Sequence, residues 1–147
     1  MNLSTEEEQE IGIWHIENRT SPSIRLWPMD QFNFRVSESG NYTGVLTNPT
    51  YTLIRKQYGT VFKEMYDQVS FKPAMIFDLN LKTETDAYAS MRVTNKISPD
   101  TINQLDFSGD KVWIYDGDIF VSRTLKQKLA PVSSDELWFS PGFSLFG

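Results

Sequence analysis

Apolar positions along this chain fall mostly into short alternating or continuous runs broken by turn residues, and few stretches keep a helical period. Residues 11–16 are dense in isoleucine with Trp14 among them and read as a strand. Residues 18–31, with Pro22 and Pro28, read as irregular. Phe32, Phe34 and Val36 then alternate with Asn33, Arg35 and Ser37, the signature of a half-buried strand. Ile54, Tyr58, Val61, Phe62, Met65 and Val69 share one face at helical spacing, which predicts the clearest helix over 54–69, with a kink or restart at Gly59-Thr60. The run 74–79 reads as a buried strand, 82–86 as a polar turn, and 89–93 as an alternating strand. Ser98-Pro99 is the start signal of a brief helix to 105.

Near the carboxyl end, residues 112–115 and 118–121 flank Asp116-Gly117, a strong two-residue hairpin signal. Ser122 has the character of a helix N-cap, Leu125 and Leu129 mark the buried face of that helix, and Pro131 is expected to end it. A last strand follows at 137–139. The pattern predicts a single α+β domain over 1–147, with a mostly antiparallel sheet of five to seven strands and two principal helices.

Composition agrees with a folded domain. The chain has 147 residues, enough to bury roughly 68–70% of its unfolded surface. Aromatic residues make up 14% of it, and such groups offset the entropy of ordering the chain. The net charge is −5 and the fourteen basic residues are scattered, so a nucleic-acid partner is not expected. An acidic surface favours encounter with a basic partner. The absence of cysteine excludes disulfides, zinc–thiolate sites and cysteine nucleophiles. The first ten residues are polar and acidic, with no basic-then-apolar leader, and no 18-residue apolar stretch follows. A cytoplasmic location without membrane contact is therefore the expectation.

The search for chemistry returns little. His15 is the sole histidine, and between Trp14 and Ile16 it reads as a partly exposed strand residue before it reads as a base or ligand. Asp116 and Asp118 are a carboxylate pair, but Asp-Gly is what a type I′ turn requires. Asp78, Asn80, Glu84 and Asp86 resemble a calcium loop until its sixth and twelfth positions, where Thr83 and Ala89 replace the needed glycine and glutamate. Phosphate-binding glycine loops and nucleophile elbows are missing from the sequence. We therefore expect no catalytic residues, no metal and no cofactor. Binding rather than catalysis is the expected class of function. Trp113 and Trp138 are assigned to the core. Trp27, in the irregular Arg25–Pro28 stretch, is the best interface anchor. The acidic residues Glu6, Glu7, Glu8 and Glu10, with Asp116 and Asp118, complete the candidate partner-binding set.

One stretch carries a family likeness. Residues 52–146 run from a helix through Val69-Ser-Phe-Lys-Pro-Ala-Met-Ile-Phe77 and a Tyr88-x-x-Met-Arg-Val93 strand. A hairpin follows, ending Ile119-Phe-Val-Ser-Arg-Thr-Leu-Lys-Gln-Lys-Leu129, and then Trp138-Phe-Ser-Pro141. This order resembles the immunity proteins of bacterial polymorphic toxin systems, whose strand-to-helix step is matched here by Ile119, Phe120, Val121, Ser122, Leu125, Lys126 and Leu129. The resemblance implies a cytoplasmic, non-enzymatic protein that occludes the active site of a cognate toxin, many such toxins being basic nucleases. The matching residues are structural, so it transfers no functional residue. The alternatives are a phage or virion structural or assembly protein, which would self-associate, and a small-ligand-binding domain, which would present a deep polar pocket.

Overall fold

The computed structural model describes residues 12–142. Twelve strands pair into three four-stranded sheets, and every pairing but one is antiparallel. The terminal sheet has the order β10 (Val112–Tyr115), β11 (Asp118–Ser122), β1 (Ile13–Asn18), β12 (Leu137–Pro141). The middle sheet runs β4 (Val45–Asn48), β5 (Tyr51–Arg55), β9 (Tyr88–Val93), β6 (Val69–Pro73). The outer sheet runs β2 (Arg25–Pro28), β3 (Asn33–Glu38), β7 (Met75–Asp78), β8 (Thr83–Thr85), with β3 and β7 parallel. Among the described residues two α-helices join the sheets in an α+β fold: α1 (Lys56–Gly59) and α2 (Arg123–Ser133). The expectation of one sheet with five to seven strands gives way to three smaller sheets.

Strands β4 and β5 of the middle sheet are buried on both faces. Val45 and Ile54, opposite one another, join Trp14, Ile16, Val112, Val121, Leu125, Leu129 and Leu137 in the core shared with the terminal sheet and α2. Leu46 and Leu53, the next pair along, face the other way into a second core with Leu26, Phe34, Ile76 and Tyr88. Strands buried on two faces lose the alternating pattern and read as continuous apolar runs. A third, smaller cluster packs Ile97 against Ile13, Trp113 and Phe120 on the far face of the terminal sheet.

That double burial explains why the long helix expected over 54–69 is absent. Ile54 belongs to β5, and helical structure amounts to one turn at Lys56–Gly59 followed by a 3₁₀ turn at Thr60–Phe62. The chain then turns through residues 63–68, where the N–H of Val69 bonds the carbonyl of Met65. Tyr58, Phe62, Met65 and Val69 still enter one core, because successive turns keep nearly the spacing of a helix without forming one. Two other expectations also need correction. Residues 25–28 form β2 instead of irregular chain, and 83–85 form β8 instead of a turn only.

Helix α2 follows β11 as the hairpin-to-helix step predicts, but Ser122 does not cap it with its side chain. That hydroxyl is fully buried and accepts the N–H of Lys111 instead. Pro131 lies inside the helix and does not end it. Its ring forfeits one backbone bond, yet the helix continues to Ser133, whose hydroxyl donates to the carbonyl of Leu129.

Candidate functional site

Among the described residues, the outer sheet buries one face and leaves the other uncovered. Leu26, Phe34 and Ile76 point into the second core, so their strand neighbours must point away from it. The register aligns these neighbours into a row: Trp27 opposite Arg35, Arg35 opposite Phe77, and Phe77 opposite Glu84. At the usual spacing between strands the row spans roughly 14 Å. Met29 and Leu79 widen it, and together with Trp27, Pro28, Arg35 and Phe77 they line an open hollow of about 470 Å³. Trp27 is 61% exposed, and Leu79 and Leu81 are still more open. Isolated exposed apolar residues are ordinary, whereas a contiguous group of them marks a contact surface.

Both turns bordering this face are held by carboxylates. Asp30 Oδ1 accepts the N–H groups of Phe32 and Asn33, and both its oxygens accept from the Asn33 amide. The Asn33 amide and then the Phe32 N–H hold the Asp30 carboxyl below its ordinary range. At the other turn Asp78 Oδ1 accepts the N–H groups of Asn80 and Leu81. Both turns are thereby fixed by contacts within the sheet itself. Arg35 is exposed at its centre, and among the described residues no carboxylate lies within 4 Å of it.

A second polar group sits on the terminal sheet. His15 is buried at 7% exposure, not partly open as expected from sequence, and its ring stacks on Phe120 at 4.9 Å. His15 Nε2 lies 3.1 Å from Asp118 Oδ1, so the proton sits on Nε2 and points at the carboxylate. Glu17 Oε1 lies 3.5 Å from His15 Nδ1, and its other oxygen accepts the Ser140 hydroxyl at 2.5 Å. A nucleophile activated by histidine needs the hydroxyl bonded to the imidazole. Here the serine donates to Glu17, so the group reads as a structural chain that locks β1 between β11 and β12.

The residues expected to bind a partner are not gathered in one place. Trp27 lies at the edge of the outer sheet. Asp116 and Asp118 belong to the terminal-sheet hairpin, where Asp116 is exposed in the turn and Asp118 holds His15. Glu6, Glu7, Glu8 and Glu10 lie outside the described residues. Removing these four from the nineteen acidic residues leaves fifteen against fourteen basic ones, so residues 12–142 carry a net charge of only −1. Trp113 is buried, but Trp138, expected in the core, is 51% exposed and carries the Arg19 guanidinium over its ring at 5.1 Å. Arg35, Phe77 and Leu79 went unselected in the sequence. The alternation around Arg35 marked its outward direction, but the continuous run 74–79 concealed that of Phe77.

The chain matches no family model, no curated protein and no solved structure. Among the described residues no helix is long and apolar enough to cross a membrane, and no group of three or more His, Cys, Asp or Glu side chains is placed to hold a metal ion.

Proposed function

We propose that this protein is a binding protein of the immunity type, which docks on a cognate bacterial toxin through the Trp27 face and blocks the toxin's active site. The observation that supports this reading is the outward Trp27–Arg35–Phe77 row, with Trp27 and Arg35 exposed and Phe77 half-buried, on a turn-stapled sheet. Tryptophan and arginine dominate the energetics of protein interfaces, especially at the centre of a contact. Glu6, Glu7, Glu8 and Glu10 supply most of the net negative charge, so attraction to a basic toxin would arise at the amino end. The apolar row would then hold the complex through a slow off-rate.

Affinity capture from lysate of the source cells, followed by mass spectrometry across a salt series, tests the reading. The expected result is one stoichiometric partner with a toxin-like domain, and loss of most of that partner with Trp27→Ala or Arg35→Ala. Recovery of the bait alone, of capsid or tail proteins, or of a partner indifferent to both substitutions would overturn it.

A further inference from the structure

The middle sheet carries a second open surface, which borders the Trp27 face at Pro28. Where the outer sheet stops covering it, β6 and β9 present four polar side chains on one face. Their register places Ser70 opposite Arg92 and Lys72 opposite Ser90. Cations and hydroxyls therefore occupy alternate corners of a square. Neighbours across the strands stand about 5 Å apart, those along a strand about 6.6 Å, and diagonal ones about 7–8 Å, within reach of one small anion for side chains as long as arginine and lysine. All four line a hollow of about 230 Å³.

The charges of this square are unspent. Among the described residues neither Arg92 nor Lys72 has a carboxylate within 4 Å, and Lys72 Nζ bonds only the neutral Gln31 side chain, at 3.1 Å. By contrast, Arg25, Arg55, Lys56, Lys111 and Lys128 are each matched to an acid. The Ser70 and Ser90 hydroxyls have no hydrogen-bond partner among the described residues. Asp30, the carboxylate at the edge of the hollow, is engaged by Phe32 and Asn33.

A larger hollow of about 500 Å³ adjoins the first and shares Thr50, Tyr51, Ser90 and Arg92 with it. Ile97, Ile114 and Tyr115 give it an apolar side, and Lys96 adds a third cation without a carboxylate partner among the described residues. Asp116 also lines it. The volume suits a small organic molecule. Forked arginine donors with a lysine point charge and hydroxyls are the chemistry of phosphate recognition.

We propose that this trench binds a small organic phosphate, with its phosphate on the Ser70–Lys72–Ser90–Arg92 square and its organic body in the hollow beside Tyr115. Titration of the full chain by amide NMR with AMP, inorganic phosphate and adenosine tests this. AMP is expected to shift the Ser70, Ser90 and Arg92 amides and to bind more tightly than inorganic phosphate, while adenosine leaves them unmoved. Arg92→Ala and Lys72→Ala, both exposed and therefore expected to fold, should each weaken AMP about tenfold or more. Lys63→Ala, outside the trench, should not. The proposal is overturned by unmoved trench amides at 10 mM AMP (about the weak limit of specific binding), by equal binding of adenosine, or by affinity unchanged in both variants. Preference for a phosphoserine peptide over AMP would overturn the small-molecule assignment.

Discussion

Glu136 ties distant parts of the chain together at the level of single side chains. Its carboxylate accepts from Arg55 Nε at 2.7 Å and from the Tyr58 hydroxyl, while Arg55 also donates to the Tyr42 carbonyl and lies 5.0 Å over the Tyr88 ring. The Arg55 and Glu136 side chains are only about a fifth to a quarter exposed, so Glu136→Gln leaves a guanidinium with no counter-charge in a poorly solvated place. A loss of about 2 kcal/mol is expected, less than for a fully buried pair, and urea denaturation will measure it. The same region sets an alkaline limit on stability. Burial first, then the bond to Glu136, raises the Tyr58 phenol, and burial pushes Tyr88 up to about 12. Both phenols are neutral in the fold, so their contribution is complete below the unfolded value of about 10 and is lost as pH rises through the folded value. Stability should fall between about pH 10 and 12, where each phenol adds a slope of up to about 1.4 kcal/mol per unit. Tyr58→Phe and Tyr88→Phe should flatten that slope in denaturation series across this range. An unchanged slope would refute the assignment.

At the scale of elements, the β10–β11 hairpin and α2 carry the clearest dependence on sequence. Asp116 and Gly117 both adopt positive φ, 50° and 89°, as the type I′ turn demands. Gly117 is constrained further, because a Cβ there would sit 2.6 Å from the Asn48 backbone. Gly117→Ala should cost at least about 2 kcal/mol from left-handed strain and this collision, read as a lower Tm. In α2, Leu125 and Leu129 are fully buried, and Leu129→Ala should cost about 3 kcal/mol. These parts were legible because their determinants are local. The 54–69 stretch was not, since its period reports which side chains are buried and β5 buries them by a different route.

For the molecule as a whole, the proposed function puts recognition on a different surface of the sheets from the one that carries stability. Leu53 contributes to the second core, whereas Trp27 stands outside it. Leu53→Ala should therefore cost about 2–5 kcal/mol. Trp27→Ala should shift stability by less than about 1 kcal/mol while losing most of the captured partner that the proposed function expects. Thermal melts of the two variants beside the capture experiment separate these roles; a large loss of stability in Trp27→Ala would return that residue to the core. The electrostatic picture also divides by region, since the excess negative charge belongs to Glu6, Glu7, Glu8 and Glu10 and residues 12–142 are nearly neutral.

By itself the sequence determined the α+β class, the Asp116-Gly117 hairpin with the helix after it, and the alternation that sends Arg35 outward. Each depends on the φ preferences of one or two residues or on a period of two along one strand. Only tertiary structure decided that 54–69 is a strand and short turns, that Trp138 is exposed, that His15 is buried against Asp118, and that Phe77 joins Trp27 across Arg35. It also decided that Ser70, Lys72, Ser90 and Arg92 make one square. A residue's own neighbours set the direction of its side chain, but whether that direction meets solvent, a second sheet or a charged partner depends on segments far away in the chain.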